Sequence, residues 1–127
     1  MSPNLCELLY TIAPKSYKEL SKYYDFEFND GWYGIMVVFG LKLEELINKQ
    51  KGPKAYVAQA KEKFGVCNVY LTNGTNEMHI LSRQLTERSA KVCEFCGSED
   101  KTVATLGPGW YRTLCDECRV KKDKLNF

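Results

Sequence analysis

Hydrophobic positions in the first half of the chain recur at helical spacing. Leu5, Leu8, Leu9 and Ile12 share one face of a helix that Ser2 can cap, Pro3 can open and Pro14 ends. Ser16 and Glu19 have capping-box spacing, which predicts a second short helix to about Tyr24 with Tyr17, Leu20 and Tyr24 turned inward. The longest periodic series is Trp32, Ile35, Met36, Phe39, Leu43, Leu46 and Ile47, with Asn29 or Asp30 placed to cap its start. The run IMVVFG inside it also fits a buried strand. Helix is the better reading, because the spacing continues through Ile47.

KQKGPK interrupts this pattern. Pro53 then opens a helix predicted to reach about Phe64, with Gly65 placed to stop it. VCNVYLT alternates, with Cys67, Val69 and Leu71 on one face, and reads as a strand over 66–72. After the turn NGTN, Thr75 or Asn76 can cap a helix to about Lys91, on which Glu87 and Lys91 form an i, i+4 pair. From Val92 onward aliphatic residues are sparse. KTVATL and WYRTL read as two strands around GPG, and RVKKDKLNF reads as a solvated basic tail. There is no internal repeat and no low-complexity tract.

Composition changes this picture mainly through its six cysteines, many for a chain of 127 residues. The N-terminal stretch lacks the basic start and long apolar run of a signal peptide, and no segment approaches the roughly 20 apolar residues of a membrane span. A cytoplasmic setting is therefore expected, where thiols stay reduced and Cys-x-x-Cys pairs bind metal more often than they form disulfides. Cys93, Cys96, Cys115 and Cys118 form two such pairs separated by eighteen residues. Two tight turns would aim four sulfurs at one centre. That fills a tetrahedron and leaves no open position for water, which makes Zn²⁺ the expected cofactor, in a structural role. Metal binding would then supply folding free energy that this module cannot obtain by burial. Cys6 and Cys67 stand apart on apolar faces and read as small buried hydrophobes, and His79 lies too far from the pairs to be an expected ligand.

The fold class expected is α+β: short helices with a small β-sheet, plus a C-terminal four-cysteine zinc ribbon. Residues 1–91 form the body, 92–120 the ribbon and 121–127 the tail, with the ribbon docked on the helix 76–91. Charge is uninformative about partners. Residues 92–127 hold six basic and six acidic side chains, so four thiolates around Zn²⁺ leave the module near −2. This offsets the +2 of the rest and weakens any argument for nucleic acid from net charge.

KEKFG at Lys61–Gly65, CEFCG at Cys93–Gly97 and GWYRTLCDEC at Gly109–Cys118 resemble small uncharacterised bacterial and phage zinc-ribbon proteins. In that group a KEKFGGLR-Y helix precedes a ribbon ending GW-RTLCDEH, and DGWY at Asp30–Tyr33 is similar to an aromatic element of the same group. The final ligand of the group is often His, where this chain has Cys118, and GGLR is replaced by GVCN at Gly65–Asn68. The resemblance implies a zinc ribbon on a small α/β body and a phage or mobile-element origin. It implies no activity.

Acid–base or nucleophilic catalysis needs a positioned constellation, and the chain has one His, no nucleophile elbow and no phosphate-cradling loop. Asp25, Glu27 and Asp30 read as a solvated turn and cap. The chain is therefore expected to be a non-enzymatic binding protein whose partner is a protein, such as a host defence or transcription factor that it blocks. DNA or RNA binding is the alternative, since Trp110, Tyr111, Arg112, Arg119, Lys121, Lys122 and Lys124 could combine stacking with phosphate contact. Trp110 could instead pack over the metal site. A small-ligand sponge is a further variant. Oligomeric state and the identity of the partner are not legible.

Overall fold

The first helix opens where expected, but its buried face is centred on Cys6 and Leu9, and Leu8 faces solvent. The structure, a computed structural model, describes residues 1–107 and 109–125. Its order is α1 (Pro3–Ile12), α2 (Pro14–Tyr17), a 3-10 stretch (Lys18–Lys22), β1 (Phe26–Glu27), a 3-10 turn (Asp30–Trp32), α3 (Tyr33–Lys49), β2 (Tyr56–Lys63), β3 (Val66–Thr72), α4 (Asn76–Ser89), β4 (Ala104–Leu106), β5 (Arg112–Leu114) and α5 (Asp116–Leu125). The α+β class holds. IMVVFG is helical throughout, and no helix among the described residues is long and apolar enough to cross a membrane.

Several local expectations are overturned. Ser16 is not a cap. It lies inside α2, fully buried, and its N–H and hydroxyl both donate to Glu44 on α3. The predicted second helix breaks into α2 and the 3-10 stretch, leaving Tyr24 exposed. Neither Asn29 nor Asp30 caps α3 with its side chain; the helix is preceded by the 3-10 turn. Thr75 does cap α4, accepting from the N–H of Met78 at 3.3 Å, but that helix ends at Ser89, before Lys91.

The helix predicted from Pro53 to Phe64 is instead β2, the central strand of a sheet ordered β1-β2-β3. β1 runs parallel to β2, and β3 runs antiparallel with Lys63 opposite Val66. A register shift between Val57 and Gln59 explains the misreading. It lets Val57 and Ala60, three residues apart, both face the core. A β-bulge thus imitates helical spacing in a segment rich in Ala, Gln, Lys and Glu.

The core lies between α1–α3 and the sheet. Tyr17, Phe26, Phe28 and Trp32 form a connected aromatic series, with Tyr17 edge-on to Phe26 at 4.9 Å and Phe28 edge-on to Trp32 at 5.3 Å. The Tyr17 hydroxyl donates to the Met36 carbonyl at 2.7 Å, so its burial leaves no polar atom unmatched. Cys6 and Cys67 are both buried in this core, as expected.

The ribbon does not dock principally on α4, which offers it one ion pair, Arg88 with Glu99. The hydrogen bonds that fasten it run to Asn29–Trp32 and Gly65. The N–H of Gly31 donates to the Glu94 carbonyl at 2.8 Å, and Trp32 Nε1 donates to the Val92 carbonyl at 2.8 Å. A Cβ at residue 31 would stand 2.2 Å from the Cys93 carbonyl oxygen, so backbone meets backbone here only because the residue is glycine. Residues 121–125 extend α5, while Pro108 of the expected turn and Asn126 and Phe127 of the tail lie outside the described residues.

Gly31→Ala is expected to destabilise the protein by about 2 kcal/mol or more, since the obstructing atoms are backbone and cannot rotate away. Equilibrium denaturation measures this. A variant as stable as the parent would contradict the docking described.

Candidate metal centre

Cys93 and Cys96 lie on the turn that follows α4, Cys115 lies between β5 and α5, and Cys118 lies in the first turn of α5. In the first, the N–H of Gly97 donates to the Cys93 carbonyl at 2.9 Å and that of Cys93 to the Ser98 carbonyl at 2.8 Å, folding the chain back on itself. The hairpin β4–β5, paired Ala104 to Leu114 and Leu106 to Arg112, brings the second turn alongside. The excursion expected around GPG is thus present in its described parts.

The four sulfurs lie within 4.8 Å of one another, and Cys96 Sγ stands 3.7 Å from Cys115 Sγ. A tetrahedral thiolate site with metal–sulfur bonds of about 2.3 Å has edges of about 3.8 Å. The donor set therefore fits a metal ion. His79 is not part of this group; it is exposed beside Gly74.

Electrostatics point the same way. Burial pushes the Cys93 thiol up, but the backbone N–H groups of Cys96, Cys115 and Phe95 outweigh it and bring the thiol down to about 7. Cys96 is raised by burial, although the N–H of Ser98 at 3.4 Å from its sulfur opposes this. Cys118 is raised by burial, then by its hydrogen bonds to the neighbouring sulfurs and by the charge of Cys93. The Cys93 sulfur ionises readily, while those of Cys96 and Cys118 resist. A divalent cation at the centre would supply the charge that lets all four become ligands.

Around this cage the polar groups are matched. Glu94, between the first two cysteines, is 1% exposed. One carboxylate oxygen accepts from Asn29 N at 3.1 Å and Asn29 Nδ2 at 2.9 Å, and the other from Arg112 Nη1 at 3.3 Å. Its own N–H donates to the Thr113 carbonyl at 2.9 Å. Thr113 Oγ1 donates to the Gly65 carbonyl at 2.6 Å, joining the ribbon to the β2–β3 turn.

The expected contact residues divide into two groups. Arg112 binds Glu94 and lies over the Phe95 ring, and Arg119 donates to the carbonyls of Ala104 and Leu114 at 2.7 and 3.1 Å. Both guanidinium groups are thus engaged inside the ribbon. Trp110 does not pack over the metal site; it and Tyr111 are exposed. Lys121 is exposed and pairs with Glu117 at 3.4 Å, Lys122 is half-buried, and the side chain of Lys124 is not among those described. Asp25, Glu27 and Asp30 bind Tyr10, Gln59 and the N–H of Ser2 respectively, and so do not act as one acidic group.

Sequence reasoning missed Glu94, Asn29 and Phe64. The signal available was that a charged residue stood inside a cysteine turn. Comparison of the chain with protein-family models, with curated proteins and with solved structures finds no match.

Glu94→Ala is expected to cost about 2 kcal/mol, because it strands the half-buried Asn29 N–H and unpairs Arg112, whose partial exposure softens the loss. Glu94→Gln should cost less, since the amide oxygen can still accept. Denaturation curves that rank the two variants the other way would contradict this role.

Proposed function

We propose that this chain is a non-enzymatic binding protein, stapled by one Zn²⁺ on Cys93, Cys96, Cys115 and Cys118, that captures a protein partner on an aromatic face beside the staple. Four sulfur donors favour zinc over harder cations, and a closed cage suits a structural ion. The resemblance to bacterial and phage chains makes a host defence or transcription component the expected kind of partner.

Phe64 carries the reading. It occupies the first position of the two-residue β2–β3 turn, with φ +54° there and +86° at Gly65. Asn or Gly suits that position; a bulky aromatic is strained by about 1 kcal/mol. Phe64 is nonetheless 72% exposed, with Lys63 Nζ 5.9 Å from its ring centroid. A residue that costs the fold both backbone strain and exposed apolar surface points to use outside the fold.

The same turn meets the ribbon at Thr105 and Tyr111, where a Cβ at residue 65 would stand 2.6 and 3.3 Å from their atoms. Tyr111 and Trp110 beside it are 50% and 67% exposed. Aromatic anchors on a rigid support are typical of protein interfaces. Nucleic-acid binding is the weaker reading, because Arg112 and Arg119 are held inside the ribbon and do not line this face with free cations.

Elemental analysis of the purified protein should give about one zinc per chain; less than half would refute the staple. Phe64→Asn should raise stability by about 0.5 to 1 kcal/mol. A tagged chain expressed in its host should retain one protein at fixed stoichiometry and lose it with Phe64→Asn or Trp110→Ala. Retention by both variants would refute the face. Loss instead of DNA or RNA binding that weakens steeply between about 50 and 200 mM salt would favour the alternative.

A further inference from the structure

The cysteines of the cage differ in what can reach them. Cys93, Cys115 and Cys118 are buried, whereas Cys96 is exposed and borders the open groove between α3 and α4. Cys6 and Cys67, outside the cage, are buried in the core. A small solute in water therefore meets Cys96 before any other thiol of the chain. Hydrogen peroxide is such a solute, and because it is uncharged the negative charge of clustered thiolates does not keep it out.

Exposure and thiolate character together set how readily a cysteine is oxidised. A cation in the cage would hold Cys96 deprotonated, which is the form that attacks peroxides. Cys96 also has a partner in place. The sulfur of Cys115, on the facing side of the cage, stands 3.7 Å from its own. A disulfide needs about 2.0 Å, so a small side-chain movement closes the pair. Cys93 is the weaker competitor, since the N–H groups of Cys96, Cys115 and Phe95 point at its sulfur and hold its electron pairs.

We propose that Cys96 is an oxidation site for peroxides and Cys115 its resolving partner, so that the cage opens reversibly. The proposal rests on the zinc staple stated above and adds what releases it. The Cys96 thiolate attacks one peroxide oxygen, the O–O bond breaks and hydroxide leaves, giving a sulfenic acid. The Cys115 thiolate then attacks the Cys96 sulfur; the S–S bond forms, the S–O bond breaks and a second hydroxide leaves. Two sulfurs have given two electrons to one peroxide. Neither now carries the charge that holds a cation, so an ion left with Cys93 and Cys118 alone is released. The bridge ties the turn after α4 to the segment after β5. Both halves of the ribbon stay together, and reduction restores the cage.

Peptide mapping of the zinc-loaded chain after sub-stoichiometric hydrogen peroxide tests this. In one arm dimedone is present to trap sulfenic acid; in the other N-ethylmaleimide is added at the end to block the remaining thiols. Trypsin leaves Cys93 and Cys96 on Val92–Lys101 and Cys115 and Cys118 on Thr113–Arg119. Dimedone should mark Cys96. In the other arm the two peptides should be joined through Cys96 and Cys115, with one zinc released per bridge, and reduction followed by added zinc should restore the loaded chain. A first adduct on another cysteine, a first bridge within either peptide, or a cage that keeps its zinc and its thiols in excess peroxide would each overturn the proposal. A preparation without zinc refutes the staple on its own, and the first thiol oxidised there still decides for or against Cys96.

Discussion

Four cysteine sulfurs within 4.8 Å of one another cannot all be charged unless a cation sits among them. The rest of the C-terminal third follows from that constraint. β4 and β5 pair over only three residues each, and few apolar side chains gather there beyond Leu114 and the cysteines themselves. Hydrophobic burial of that size does not order some thirty residues against their conformational entropy. Bonds from the four sulfurs to one ion would, and they would fix both turns, the hairpin between them and the start of α5 as one unit.

Rigidity in the ribbon reaches the body through Glu94. Because residue 94 lies between two of the clustered cysteines, the turn that places their sulfurs also places its carboxylate against Asn29 and its carbonyl against Gly31. Trp32, one residue on, belongs to the aromatic core and holds Val92. Core, 3-10 turn and metal turn are therefore consecutive links. Thr113 makes a second link to Gly65, the residue that follows the displayed Phe64. The proposed contact face stands where the two units join, so its shape depends on both.

How much of this was legible varied with the kind of signal. α3 could be read because its long apolar series has no competing period. The clustering of the four cysteines could be read because two matched pairs at such spacing are the pattern of a metal-binding cage. β2 could not, because its bulge places Val57 and Ala60 at helical spacing. Ser16 looked like a cap because capping residues are recognised by sequence distance alone, whereas its hydroxyl found Glu44 on another helix. Glu94 was invisible for a related reason: charged residues are ordinarily solvated, and only the fold shows three donors converging on this one. The short stretches that carry the resemblance are also those that touch. Gly31 of DGWY meets Glu94 of CEFCG, and Gly65 of KEKFG meets Thr113 of the RTLC segment.

The central claim is that a bound ion, and not apolar burial, orders residues 93–118 and through them the junction at Asn29–Trp32. Amide hydrogen exchange, compared before and after chelation of the metal, tests it most directly. Protection should vanish across 93–118 and fall at Gly31 and Trp32, while α3 and the β2–β3 pair keep theirs. Undiminished protection across 93–118 in the metal-free chain would contradict it.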